Sequence, residues 1–210
     1  MAFIPTIDPD TARDDVRAMY ERQQASWNYV PNYAKAFSHR PEVLARWAML
    51  QAAIRRTIEP RRFELITLAV AYDLGNSACA LAHGKQLLAW FTADEIERIV
   101  HDESPNPLST NEAAMVRFAR KVARDASKIT AGDVQALSAH GFDAGEIFDI
   151  VATVAGRAFF TKVLDGLGVE ADRPFAELDE RLRKTLTVGR PIDFRAPVQL
   201  PEATVSVGGR

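Results

Sequence analysis

A single cysteine, Cys79, in 210 residues excludes an internal disulfide, so packing alone must hold the fold. In a reducing compartment such a thiol stays free. No apolar run approaches the roughly 18–20 residues that span a bilayer. Met1 to Asp15 lacks the charged head, apolar core and small-residue cleavage site of a secretory leader. A cytoplasmic location with no membrane partner is the expectation. Lys and Arg number 26 against 28 Asp and Glu, a formal net charge of −2 with no block that would follow a phosphate backbone. Nucleic acid is therefore not expected as a partner. No glycine-rich phosphate loop and no Gly-x-Ser-x-Gly elbow is present. Strand-like alternation is confined to short terminal stretches.

What remains is helical periodicity in a chain that is 47% hydrophobic, which is enough for a substantial core in one all-α domain. After Asp8-Pro9, the residues Val16, Met19, Tyr20 and Trp27 predict a helix over about 9–25. A short segment follows from Pro31 to about His39. Pro41 suits a first helical position, and Leu44, Trp47, Leu50 and Ile54 form an apolar stripe to about Thr57. Pro60 opens the most apolar part of the chain, in which Leu65, Ile66, Leu68, Ala69, Val70 and Tyr72 imply a central, buried helix. Gly75-Asn76-Ser77 breaks it, and Asn76 or Ser77 can cap the next helix, over about 76–91. The pairs Thr92/Glu95, Ser109/Glu112 and Asp143/Glu146 have capping-box spacing and mark three further helix starts. Thr130 to His140 predicts another helix, and Pro174 to Leu186 a last one. The tail from Val188 reads as a loose arm or a segment docking on a neighbouring subunit. Met115, Trp47 and Trp90 read as core.

Chemistry concentrates at Glu64, Cys79 and His83. Cys79 and His83 are four residues apart, so one helix face carries both. Cys79 also falls in the first turn after Gly75-Asn76, where free N–H groups and the helix dipole favour an anion. Both effects predict a thiolate. A return of the chain at Gly75 would bring Glu64 alongside His83, where a carboxylate orients the imidazole. The plain alternatives are a buried thiol acting as a small hydrophobe and a Glu64 on a solvated stripe with Arg61. His39, His101 and His140 show no ligand spacing to this pair, so neither a metal nor a cofactor is expected.

The same segment resembles the active-site region of the alkylhydroperoxidase D-like and carboxymuconolactone decarboxylase superfamily. That pattern is a Glu, twelve residues on a Cys-x-x-Cys, and a His four residues after the second Cys. Glu64 matches the Glu, Cys79 the second, peroxidatic Cys, and His83 the His; Asn76 stands where the first, resolving Cys belongs. Val30-Pro31-Asn32 and the Gly141 to Gly168 region are similar to its peroxidase-related branch, so the resemblance runs from about residue 5 to 172. It implies a compact AhpD-like helical domain over 1–172, followed by a C-terminal helix and extended tail over 173–210. It also implies assembly into homo-oligomers.

The function expected is a thiol-dependent, peroxidase-like oxidoreductase: Cys79 attacks a small hydroperoxide, His83 moves the proton and Glu64 positions His83. Without a second thiol, turnover would need an external thiol reductant or Cys79 of another subunit. The competing readings are an acid–base decarboxylase or lactone-handling enzyme using His83 and Glu64, and a helical binding or structural oligomer that has lost turnover. A ligand-sensing regulator would need a basic DNA-reading unit, and none is present. Self-association is expected because the 60–100 region carries more apolar surface than two helices bury, and because the tail's apolar residues need a partner.

Overall fold

A computed structural model describes residues 2–195, and among them all regular secondary structure is helical apart from one isolated parallel bridge, Ala171 with Ile192. Ten α-helices follow in order: α1 (Asp14–Trp27), α2 (Asn32–Ala36), α3 (Pro41–Arg55), α4 (Pro60–Asp73), α5 (Ser77–Leu87), α6 (Ala93–His101), α7 (Thr110–Asp125), α8 (Ala131–Ala139), α9 (Ala144–Gly166) and α10 (Glu180–Leu186).

α4 is the axis. Pro60 starts it, Glu59 accepts from the amides of Arg61 and Arg62 at 3.1 Å each, and every residue from Phe63 to Ala71 is buried. A helix that is apolar on all sides has to be covered on all sides, and α5, α7 and α9 pack around it. α3 lies on α9, α8 bridges α7 and α9, and α10 closes against α5 and α6. The three capping boxes read from the sequence are present at Thr92, Ser109 and Asp143, and Thr130 with Asp133 makes a fourth. α4 turns into α5 through Gly75, whose φ of +72° places it in the left-handed region that a side chain would strain.

Several expectations need correction. The first helix begins at Asp14, because Pro9–Thr11 forms a separate 3-10 turn capped by Asp8. The second segment is α2 followed by a 3-10 turn, Phe37–His39. α5 ends at Leu87, and Trp90 and Leu50 stand 42% and 53% exposed instead of in the core. The helix expected over Pro174–Leu186 divides into a 3-10 turn, Arg173–Glu177, and α10, because Asp179 caps Leu182 N–H at 3.0 Å and starts a new helix.

The beginning of the tail docks on its own chain. The Gly189 amide donates to Ser77 Oγ at 2.8 Å, Ala171 N–H to Pro191 O at 3.1 Å, and Asp193 N–H to Ala171 O at 2.8 Å. Residues 196–210 of the expected arm lie outside the described residues. The surface of α4 expected to drive self-association is covered within the chain by α7 and α9. Within the 60–100 region Leu88 and Trp90 stay exposed, and further uncovered apolar residues lie at Val43, Leu50, Phe148, Val151 and Phe159 on α3 and α9.

Leu182 and Leu186 of α10 are fully buried, and Leu186 lies directly over Gly84 of α5, where no side chain would fit beside it. Leu186→Ala should therefore behave as a core truncation, costing about 2–5 kcal/mol, read as a fall in the urea midpoint at unchanged slope. A change within about 0.5 kcal/mol, as at an ordinary surface position, would show that α10 is an appendage.

Candidate active site

The turn at Gly75 folds α5 back along α4, which brings the first turns of α4 beside the middle of α5. His83 Nδ1 and Glu64 Oε2 are 2.6 Å apart, and Arg55 Nη2 of α3 reaches Glu64 Oε1 at 3.5 Å. The Glu64 side chain is only 5% exposed, which rules out the solvated-stripe reading. Burial alone would raise its pKa, but the hydrogen bond from His83 and the charges of His83, Arg55 and Arg157 outweigh it and hold the carboxyl below its usual value. His83 is pushed down, first by burial and then by Arg157, against the pull of Glu64. The pair is therefore a carboxylate with a neutral imidazole near neutral pH. An ionised carboxylate can only accept, so Nδ1 carries the proton and Nε2 is left as the basic nitrogen.

Cys79 is the third residue of α5, and its amide donates to Asn76 Oδ1 at 2.9 Å. Its thiol is buried, and the hydrogen-bond partner of Sγ is Arg157 Nη1 at 3.9 Å. Among the described residues no hydrogen bond joins Sγ to His83, contrary to the helix-spacing expectation; sharing a face brought both side chains to one wall without joining them. The thiolate expectation also changes. Burial pushes the Cys79 thiol up, Arg157 draws it down by charge and hydrogen bond, and Asp165 raises it again, for a net upward shift.

Arg157 is the residue that reading the sequence missed. It comes from α9, is 5% exposed, and its guanidinium lies over the rings of Trp47 and Phe160 with centroids at 5.5 and 5.7 Å. Its Nε has no hydrogen-bond partner among the described residues. A signal existed: Ile150, Val154, Arg157, Thr161 and Leu164 recur at helical spacing and are all buried, so Arg157 sits on the buried stripe of an apolar helix.

Glu64, Cys79, His83, Arg55 and Arg157 all face one cavity of about 330 Å³, closed on its other sides chiefly by Trp27, Tyr33, Trp47, Phe160, Asp172 and Phe175. Trp47 stacks on Phe160 at 4.2 Å and fixes its indole N–H on Gly156 O at 2.8 Å. Burial pushes the Asp172 carboxyl up to about 6, although the Asn32 amide donates to it at 2.7 Å. Burial likewise pushes the Tyr33 phenol up to about 12. Asn76 is not a spectator in the place of a resolving thiol. Its Oδ1 caps α5, and its Nδ2 donates to Asp165 Oδ1 at 2.9 Å, tying α5 to α9.

Among the described residues no group of three His, Cys, Asp or Glu side chains could hold a metal. His39 bonds Pro5 O at 2.6 Å, His101 faces the Tyr72 hydroxyl, and His140 follows the last turn of α8, all on other elements.

No family model and no curated protein matches the sequence. Solved structures do match. A crystal structure described as an alkylhydroperoxidase AhpD core, an uncharacterized peroxidase-related protein from Ralstonia eutropha JMP134, superposes with a TM-score of 0.70 at 22% identity, over 83% of this chain and 94% of that one. An uncharacterized peroxidase-related protein from Silicibacter sp. TM1040 gives 0.71 at 23% identity, over 83% and 93%. The debrominase Bmp8, as a C82A variant in complex with 2,3,4-tribromopyrrole, gives 0.67 at 11% identity, over 89% and 98%. The chain has the alkylhydroperoxidase D-like fold.

Proposed function

We propose that the protein is a cysteine-dependent oxidoreductase of the peroxidase-related kind, with Cys79 as nucleophile, His83 as base and acid, and Glu64 orienting His83. The observation that carries the reading is the convergence of a thiol, a neutral imidazole with its free nitrogen, and a buried guanidinium on one cavity. The thiol rests protonated, because burial outweighs Arg157. As a hydroperoxide enters, Nε2 of His83 takes the thiol proton and the sulfur attacks the distal peroxide oxygen. The O–O bond breaks, and the proton returns from His83 to the departing oxygen, so that an alcohol leaves and Cys79 holds a sulfenic acid. An external thiol then displaces water from the sulfenic acid, forming a mixed disulfide. A second thiol regenerates Cys79 and departs as the oxidised disulfide.

A second reading draws on the neighbour that takes a halogenated pyrrole. The ring-lined walls here, with Trp47 and Phe160 stacked, also suit a planar halogenated substrate, from which the Cys79 sulfur takes the halogen as its bond to carbon breaks, the ring carbon keeping that electron pair and picking up the proton that His83 took from the thiol. Cys79→Ser abolishes either reaction but spares acid–base chemistry at His83 and Glu64, so retained decarboxylase or lactone activity in that variant would sink both.

The expected outcomes are specific. Stoichiometric hydroperoxide should convert Cys79 to a sulfenic acid in the folded protein, detectable by mass spectrometry, and His83→Ala should slow this by about 10²-fold or more. Because the thiol pKa is raised, iodoacetamide should label resting Cys79 more slowly near pH 7 than an unstructured peptide, and the rate should climb with pH beyond the range in which the peptide levels off. Labelling at or above the peptide rate at pH 7 would refute the protonated resting state. Asn76→Cys would supply a resolving thiol but remove a helix cap; a loss of about 1 kcal/mol is expected alongside a disulfide to Cys79. Unchanged stability would contradict the role given to the cap.

A homo-oligomer is part of the same proposal, with the exposed apolar residues of α3 and α9, Val43, Leu50, Phe148 and Phe159, as its contact face. Sedimentation velocity at tens of micromolar should show an assembly that Phe148→Glu dissociates.

A further inference from the structure

We infer that the cavity selects a substrate carrying a carboxylate, and that Arg157 is the residue that receives it; on the peroxidase reading above, the hydroperoxide is then an organic acid's and not hydrogen peroxide. The inference deepens the reading above, resting on the cavity as the substrate site but not on peroxide as the group that Cys79 attacks.

The argument starts from Arg157 itself. A buried guanidinium is costly to desolvate, and a carboxylate partner normally offsets that cost. Arg157 has none within ion-pair distance among the described residues. Its contacts are a thiol at 3.9 Å and the faces of two aromatic rings. The acidic groups around the cavity are already engaged. Glu64 feels the Arg157 charge only beyond ion-pair distance and is held by His83 and Arg55, and Asp172 by the Asn32 amide and the Tyr29 hydroxyl. Arg55, the second cation on the wall, is taken by Glu64. The protonated thiol offers Arg157 no charge in the resting state. A guanidinium 5% exposed, lining the cavity and with its Nε unpartnered, is therefore the ionic demand left without a close counter-charge there among the described residues.

The remaining wall defines the body of the ligand. Trp27, Trp47 and Phe160 present apolar ring surface, and about 330 Å³ is at the small end of ligand pockets. A compact apolar or planar acid fits both the charge and the wall. Hydrogen peroxide would use neither.

Two alkylating reagents of nearly equal size test this without any peroxidase turnover. Iodoacetate carries a carboxylate and iodoacetamide is neutral. The ratio of their rate constants at Cys79, measured by mass spectrometry at low salt, is taken in the native protein and divided by the same ratio in urea. A quotient of at least about tenfold in favour of iodoacetate is expected, falling to near one in Arg157→Met and remaining above one in Arg157→Lys. Benzoate should protect Cys79 from iodoacetamide and quench the cavity tryptophans, whereas benzamide should do neither. A quotient of one or less, or equal effects of benzoate and benzamide, would overturn the inference. The wild-type comparisons decide it even if Arg157→Met does not fold, and the tryptophan signal decides it if Cys79 resists both reagents. Anion preference without sulfenic acid formation by any hydroperoxide would keep this inference and remove the peroxidase reading. Sulfenic acid formation without anion preference would do the reverse.

Discussion

An ionised carboxylate inside the most apolar helix of the chain is tolerable only if something meets it, and Glu64 is met from two sides. His83 Nδ1 donates at 2.6 Å from α5, and Arg55 approaches at 3.5 Å from α3. Each contact comes from a different helix, so the carboxylate fixes how α3 and α5 sit against α4. Breaking one partner of a buried charge costs about 3–5 kcal/mol, which makes the geometry of the site and the packing of the core a single problem. The proposed chemistry depends on the same contact, because it is the carboxylate that places the proton on Nδ1 and leaves Nε2 available.

The α4–α5 turn is built to hold this arrangement. Gly75 supplies the left-handed backbone, and Asn76 ends the break by capping α5 and reaching Asp165 of α9. The C-terminal segment adds a third tie, from the Gly189 amide to Ser77. A cysteine at position 76 could not make the Asn76 contacts, so in this chain the residue in the matching place stabilises the loop that presents Cys79. On the proposed function, the residue that leaves a sulfenic acid without internal resolution thus gives the site a firmer frame.

Much of this was legible in the sequence because its signals are local. Capping boxes, the proline at the start of α4 and the glycine turn act over three or four residues, and all are where the spacing put them. Glu64 and His83 were legible through the pattern they share with a known superfamily, although nothing in the residues alone required them to touch. Exposure was harder to read. Leu50 and Trp90 look like core by type, yet α3 rotates Leu50 outward and α5 ends before Trp90, which no count of apolar residues reveals. Asp179 resembles one more charge in an amphipathic helix until its side chain is seen capping α10. Arg157 is 78 residues from Cys79, and only the packing of α9 on α4 brings it to the thiol.

If Cys79 is the nucleophile proposed above, that long-range contact changes what kind of nucleophile it is. A thiol at a helix start with a neighbouring imidazole suggests a standing thiolate, ready for any electrophile. The structure instead buries the sulfur, which pushes its pKa up, and surrounds it with an imidazole whose pKa is pushed down and a cation with no ion-pair partner among the described residues. In such a site the anion forms when the reaction needs it. On the proposed reading, proton transfer to Nε2 creates an imidazolium beside Glu64, already in hydrogen-bond contact, and a thiolate beside the Arg157 guanidinium, which it shares with the substrate's carboxylate. Both new charges meet opposite charges placed in advance, so the stabilisation is largest once the proton has moved and smallest before it moves. A buried, reluctant thiol is thereby compatible with fast chemistry on the substrate that fills the cavity, and with slow reaction towards everything that does not.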